Sequence, residues 1–187
     1  MHKENGSIPK LNPEGNKPVV FPEGNKPVIF SKLSPEDIIE LAENFAERFQ
    51  FKAGQSLHSI VAKLGGRIEY VAPHDMSDKA RLQLTSTSDT VFTIYLSSLL
   101  SPLQERFAIA HELGHYVLHS VFGKNKDIFA QENYNNANWM ELEANLFAEA
   151  FLMPKKEVKG FDSLIELASH FKVPISVAKL WAQYVNK

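Results

Sequence analysis

The 187-residue sequence contains no cysteine, and this absence excludes three kinds of chemistry. Without cysteine there is no disulfide framework, no thiolate-bound zinc and no cysteine nucleophile. A metal ion bound by this chain must therefore be held by nitrogen and oxygen atoms. Cysteine-free chains are ordinary among enzymes of the cytoplasm, which is the compartment we expect for this protein.

The sequence also lacks a long apolar run and a strong net charge. No stretch of 18 apolar residues is available to span a bilayer, and the N-terminus lacks the basic-then-apolar layout of a signal peptide. The formal net charge is −2, which argues against a protein that coats nucleic acid. We therefore expect one core, no membrane association and no direct binding of nucleic acid.

The first 33 residues are rich in proline and contain a tandem repeat. PEGNKPVVF at 13–21 is followed directly by PEGNKPVIF at 22–30, and the two copies match at eight of nine positions. Two such short copies cannot form a solenoid, in which each repeat is a supersecondary unit. We expect residues 1–33 to form an extended or disordered arm. The alternative is that the apolar triplets of the repeat dock as short strands on the core or on a partner.

The rest of the chain predicts an α+β fold. Ser34 is expected to cap a helix with Pro35 at its first position, and Ser101 and Gln104 form the capping-box signal of another. Strands are expected at 67–71, 80–85 and 90–96, in a small, largely antiparallel sheet packed on helices. An Asn-rich loop at 125–138 precedes a helix at 138–152, and further short helices are expected at 57–64, 162–171 and 175–185. We expect a core at 34–154 and a helical, helix-turn-helix-like tail at 155–187.

The letters HELGH at 111–115 lie on the helix that Ser101 is expected to cap. His111 and His115 are four residues apart, so their side chains share one helix face and can bind one ion. Glu112 follows the first histidine and can reach a metal-bound water without binding the metal itself. This pattern predicts a metal site with Glu112 as the general base, and two ordinary helix histidines are the alternative.

A third ligand is expected on the next long helix, which carries Glu141 and Glu143. His119 lies too far along its helix axis to share one ion with both other histidines. Glu141 lies on a face of small and apolar residues, where a carboxylate is anomalous unless it is bonded, and Glu143 remains the alternative ligand. Asn145, one turn after Glu141, could hold the outer nitrogen of a histidine ligand. Two histidines and one carboxylate leave a fourth position open, which is typical of catalytic zinc.

Gly114 lies inside the HELGH motif and calls for a physical reason. Glycine within a helix costs about 1 kcal/mol relative to alanine. We therefore expect another backbone to approach this helix closely at Gly114.

Two segments of the sequence carry a family resemblance. They read RFAIAHELGHYVLH at 106–119 and ELEANLFAEAFLMP at 141–154. Together they resemble the ImmA/IrrE family of cytoplasmic metallopeptidases. The resemblance implies a zincin-like fold, one Zn²⁺ ion held by His111, His115 and Glu141, and Glu112 as the general base. It also implies that the substrate is a helix-turn-helix transcriptional repressor of a stress-response or mobile-element system.

The chemistry expected from this site is the hydrolysis of a peptide bond. Glu112 would take a proton from the attacking water and deliver one to the leaving amine. The substrate could add a strand to an exposed edge of the sheet, with 90–96 as the candidate strand. The alternative is that 90–96 is simply part of the core sheet.

Two other functions stay open at this point. The chain could be a metal-binding regulatory or antitoxin-like protein that acts without turnover. It could also be a DNA-binding module that uses its C-terminal helices, although Lys179 is the one cation of the helix expected at 175–185.

Overall fold

The computed structural model describes residue 31 and residues 33–75, 79–84, 90–120 and 134–186, with side chains from residue 139 onward in the last range. Apart from Ser31 and Leu33, the predicted arm lies outside the described residues. The described ranges contain three strands, seven α-helices and the short 3₁₀ helix Pro73–Asp75. In chain order these are α1 (Pro35–Arg48), α2 (His58–Lys63), β1 (Gly66–Val71), β2 (Ala80–Leu84), β3 (Phe92–Ser97), α3 (Pro102–Leu118), α4 (Tyr134–Leu152), α5 (Lys155–Val158), α6 (Leu164–Phe171) and α7 (Ile175–Val185). The fold is α+β, as predicted, and α4 begins four residues before its expected start.

Reciprocal caps set the beginnings of α1 and α3. The amide of Asp37 donates to Oγ of Ser34 at 3.1 Å, and the amide of Ser34 donates to the Asp37 carboxylate at 2.9 Å. Ser101 and Gln104 make the same pair of bonds at 3.4 and 3.0 Å. Both predicted caps are confirmed, and the second sets the first turn of the helix that carries HELGH.

The three strands form one mixed sheet in the order β1-β3-β2. β1 pairs parallel with β3, with Gly66 opposite Phe92, whereas β2 pairs antiparallel with β3, with Ala80 opposite Leu96. One of the two pairings is therefore parallel, which differs from the largely antiparallel sheet expected. The reason is the chain path: β3 inserts between β1 and β2, so β1 has no hairpin partner in this sheet.

The prediction that 90–96 forms an exposed sheet edge is wrong. β3 has a partner on each side, and Phe92, Ile94 and Leu96 are fully buried. The alternation of apolar residues in this segment predicts that one face of the strand is buried. It does not predict whether the strand lies at the centre or at the edge of the sheet. The edges of the sheet, as far as the structure describes it, are β1 and β2.

Helices α3 and α4 pack against each other at the centre of the molecule. Every residue from Arg106 to Leu118 is buried. A Cβ atom placed on Gly114 would lie 2.8 Å from the carbonyl oxygen of Ala144, which is closer than real Cβ atoms approach backbone oxygens. The predicted close approach of another backbone at Gly114 is thus confirmed. It brings the HELGH face of α3 against the first half of α4.

The C-terminal helices pack on the same core. The indole of Trp181 in α7 is fully buried, and its Nε1 donates to the carbonyl of Met153 at 2.6 Å. Nε of Arg106 in α3 donates to the carbonyl of Phe171 at the end of α6, at 3.0 Å. The boundary expected at 154/155 stays a prediction. None of the described helices is both long and apolar enough to cross a membrane.

Candidate metal centre

Three potential ligand atoms converge where α3 meets α4. Nε2 of His111 and Nε2 of His115 lie 3.0 Å apart. The carboxylate of Glu141 lies 3.4 Å from the first nitrogen and 3.1 Å from the second. Among the described residues, these three form a group whose ligand atoms all lie within 4.8 Å of one another. The helical spacing of α3 supplies the two imidazoles, and the close contact at Gly114 brings up the carboxylate.

The outer nitrogen of His111 faces an amide on α4. Nδ1 of His111 lies 3.0 Å from Oδ1 of Asn145, and Asn145 is 2% exposed. An amide oxygen accepts hydrogen bonds, so this contact favours a proton on Nδ1 and a lone pair on Nε2. That is the tautomer a metal ligand needs at Nε2.

The outer nitrogen of His115 faces a second imidazole. Nδ1 of His115 lies 3.1 Å from Nδ1 of His119, and Nε2 of His119 lies 2.8 Å from Oε2 of Glu143. The backbone amide of Ser31 donates to both oxygens of Glu143, at 3.3 and 3.2 Å. Glu143 therefore lies behind His119, on the outer side of the cluster formed by His111, His115 and Glu141.

The cluster is deeply buried on one side and open on the other. His115 and Glu112 are fully buried and His111 is 3% exposed, whereas the side chain of Glu141 is 24% exposed. Burial, followed by the neighbouring His119 and His111, holds the pKa of His115 well below its usual value of 6.5. A neutral imidazole is the form that binds metals. The exposure of Glu141 marks the side from which solvent can approach.

The chemistry of these groups fits a divalent metal ion. Three electron-pair donors lie within hydrogen-bonding range of one another, and a cation between them would bind all three. Two imidazoles with one carboxylate are an established donor set for catalytic zinc. The structure brings together His111, His115, Glu141 and Asn145. Glu143, the alternative ligand, instead contacts His119.

His119 is considered from the sequence only as a metal ligand, and its contact with the outer nitrogen of His115 is not predicted. It is 3% exposed and caps the C-terminus of α3. The available signal was its spacing of four residues from His115, which places both rings on one face of the helix. The sequence does not show that Glu143 and Ser31 lie on the far side of that ring, because both are distant along the chain.

Residues 70–180 match the peptidase family described as the IrrE N-terminal-like domain. This range contains all of α3, α4, α5 and α6. Among solved structures, a Mycobacterium tuberculosis transcriptional regulator is similar, with a TM-score of 0.55 and 18% sequence identity. The match covers 78% of this chain and 46% of that one, so this chain spans about half of its length. At this identity the likeness shows the fold. No curated protein matches the sequence.

Proposed function

The chain belongs to the peptidase family of the IrrE N-terminal-like domain, and from this premise we propose that it is a zinc-dependent endopeptidase. The observation that carries the proposal is the convergence of His111, His115 and Glu141 within the matched segment. These residues would hold the ion through two Nε2 atoms and one carboxylate. When bound, zinc supplies a water of lowered pKa and a Lewis acid for the peptide carbonyl.

In this proposal Glu112 is the general acid and base. It neighbours His111 on α3 and is fully buried, so its carboxylate is shielded from bulk water. Glu112 takes the proton of the attacking water and passes it to the amine that leaves when the peptide bond breaks. The burial of Asn145 behind His111 supports a site whose ligands are held in place before substrate arrives.

We propose a helix-turn-helix repressor as the substrate. The resemblance of 106–119 and 141–154 to repressor-cleaving peptidases supports this class. The charge of the chain supports it as well, because residues 34–152 carry nine Lys and Arg against sixteen Asp and Glu, a formal −7. An acidic peptidase attracts a basic, DNA-binding partner and speeds its association.

The Glu112→Gln variant tests this function. We expect it to bind one zinc ion per chain, as the wild type does, and to lose at least about 100-fold in cleavage rate, because a positioned acid–base residue contributes that much or more. Purified helix-turn-helix repressors from the source organism serve as substrates. Mass spectrometry detects new N-termini, and elemental analysis counts zinc.

Glu105→Gln is the matched control, since Glu105 is on the same helix and accepts a hydrogen bond from Tyr70 at 2.9 Å. This variant should cleave like the wild type. Cleavage that survives in Glu112→Gln would overturn the role of Glu112. A wild-type protein that binds zinc yet cleaves none of the repressors would favour metal-dependent regulation without turnover.

A further inference from the structure

We propose that His119, Glu143 and the backbone amide of Ser31 form a relay that positions His115 as a metal ligand. The relay runs Ser31 to Glu143 to His119 to His115, through contacts of 3.2, 2.8 and 3.1 Å. His119 and Glu143 act through His115 and are positioning residues. This inference rests on the proposed metal site and adds to it the device that orients one of its ligands.

The donor and acceptor of each hydrogen bond in the relay follow from the bond at its outer end, between Ser31 and Glu143. The amide of Ser31 can only donate, and it donates to both oxygens of Glu143, so both oxygens act as acceptors. The 2.8 Å contact with Glu143 is then a bond donated by Nε2 of His119. A neutral imidazole that carries its proton on Nε2 presents a lone pair on Nδ1.

The inner end of the relay decides which nitrogen of His115 faces the metal site. Nδ1 of His119 accepts, so Nδ1 of His115 donates across their 3.1 Å contact. The proton of His115 then resides on Nδ1, which leaves the lone pair on Nε2. Nε2 is the atom that lies 3.1 Å from Glu141 and 3.0 Å from Nε2 of His111.

Burial makes each bond of the relay matter. His115, His119 and Glu143 are 0, 3 and 5% exposed, so bulk water has little access to replace a lost partner. A buried polar group that loses its hydrogen bond is costly to the folded protein. The rings of His115 and His119 are therefore held in one orientation by partners on both sides.

The two histidine ligands are thus supported differently. His111 is held by Asn145, which lies on α4 close to Glu141. His115 is held through a path that leaves the α3–α4 pair and ends at Ser31, directly after the second repeat copy at 22–30. The relay makes the segment that precedes α1 part of the support of the metal site.

The first test uses nitrogen-15 NMR of labelled histidines in the zinc-saturated protein to determine which ring nitrogen carries the proton. We expect His119 to carry its proton on Nε2, and we expect a scalar coupling across the hydrogen bond from Nδ1 of His115 to Nδ1 of His119. Replacement of His119 assigns its signals among the seven histidines of the chain. A proton found on Nδ1 of His119 would overturn the relay.

The second test measures zinc affinity by competition with a chelator. His119→Phe keeps a ring without an acceptor and should raise the zinc dissociation constant by about 10- to 100-fold, the usual effect of losing a partner of a metal-binding histidine. His119→Asn offers an oxygen to Nδ1 of His115 and should remain within a few-fold of the wild type. Tyr116→Phe, a buried change on the same helix that removes a 3.4 Å bond to the carbonyl of Leu64, should leave the affinity unchanged.

Equal zinc affinities in His119→Phe and His119→Asn would show that the acceptor on residue 119 does not matter, and this would overturn the relay. Circular dichroism of each zinc-free variant verifies that it folds. If His119→Phe does not fold, Glu143→Leu takes its place, because it removes the acceptor of His119 and should weaken zinc binding by a similar factor. A wild-type protein that binds no zinc would instead overturn the proposed function.

The third test concerns the outer donor. Ser31→Pro removes the amide hydrogen that Glu143 accepts, whereas Ser31→Ala keeps it. Both variants lose the Ser31 hydroxyl, which accepts from the amide of Leu33 at 3.3 Å, so this loss cancels between them. We expect weaker zinc binding in Ser31→Pro than in Ser31→Ala. Equal affinities would remove Ser31 from the relay.

Discussion

At the scale of single residues, this protein differs from a simple helical core in the acidic residues that α4 carries. Glu141 faces His111 and His115, and Glu143, which is buried, faces His119. Glu149, two turns further on, is 5% exposed and lies near Tyr184 of α7, and burial raises its pKa to about 8. The pKa of Tyr184 is raised to about 12, chiefly by burial and further by Glu36 and Glu149. The ionised form of Glu149 is thus disfavoured in the folded protein.

We predict that Glu149 makes the protein less stable as pH rises. The unfolded carboxyl releases its proton near its ordinary pKa of 4.5, whereas the folded one keeps it until about pH 8. Between these values the folded state binds more protons, so the free energy of unfolding falls by up to about 1.4 kcal/mol per pH unit. Glu149→Gln should therefore gain stability over the wild type as pH rises from 5 to 9, as measured by urea unfolding.

The exposed Glu157 provides the control for this prediction. Glu157→Gln should differ from the wild type by less than about 0.5 kcal/mol at every pH, as surface substitutions usually do. A stability difference between Glu149→Gln and the wild type that does not change with pH would contradict the prediction.

At the scale of elements, the site depends on how closely α3 and α4 approach each other. All three candidate ligands lie on these two helices, two on α3 and one on α4. The approach is set at Gly114, where the backbone of Ala144 leaves no room for a Cβ atom. The glycine lowers the helix propensity of α3, and the close packing of two buried helices offsets this cost.

Gly114→Ala should destabilise the protein even though alanine is the better helix former. Alanine gains about 1 kcal/mol of helix propensity, but it forces the helices apart against a backbone oxygen. Overpacking of this kind costs roughly 1–3 kcal/mol, so we expect a net loss of stability together with weaker zinc binding. Urea unfolding and chelator competition measure the two effects.

Gly160→Ala is the matched control, because among the described residues a Cβ atom there meets the Glu157 carbonyl alone, at an ordinary 3.5 Å. It should leave zinc affinity unchanged. If Gly114→Ala were as stable as the wild type, the two helices would have freedom to separate that the structure does not indicate.

At the scale of the whole molecule, the C-terminal helices share one core with α3 and α4. Trp181 reaches Met153 directly after α4, and Arg106 on α3 reaches the end of α6. Phe171, Val173 and Trp181 are fully buried. Removing these contacts would expose large apolar surfaces on both sides, which favours folding as one unit.

We predict a single cooperative unfolding transition that includes residues 155–186. The chain has two tryptophans, so Trp139→Phe leaves Trp181 as a reporter located in the tail. In this variant the fluorescence of Trp181 and the far-ultraviolet circular dichroism should change at the same urea concentration. An earlier change in fluorescence would mean that the tail unfolds as a separate unit.

Much of the fold could be predicted because its signals are local. Capping residues determine where α1 and α3 begin, and these reciprocal bonds join residues three positions apart. The predicted membership of the ImmA/IrrE family is confirmed by the family match over residues 70–180. The pairing of the strands could not be predicted in the same way, because nothing within β3 indicates that it lies between β1 and β2.

By itself, the sequence determined that His111 and His115 share a helix face, because four residues make about one turn of a helix. It also indicated the close contact at Gly114, since glycine in a helix has a cost that packing must offset. Only the tertiary structure decided that Glu141 faces both imidazoles while Glu143 lies behind His119. Glu141 and Glu143 are two residues apart on one helix. They differ in their partners through the packing of α4 on α3 and through the position of Ser31, and these long-range contacts leave no local pattern in the chain.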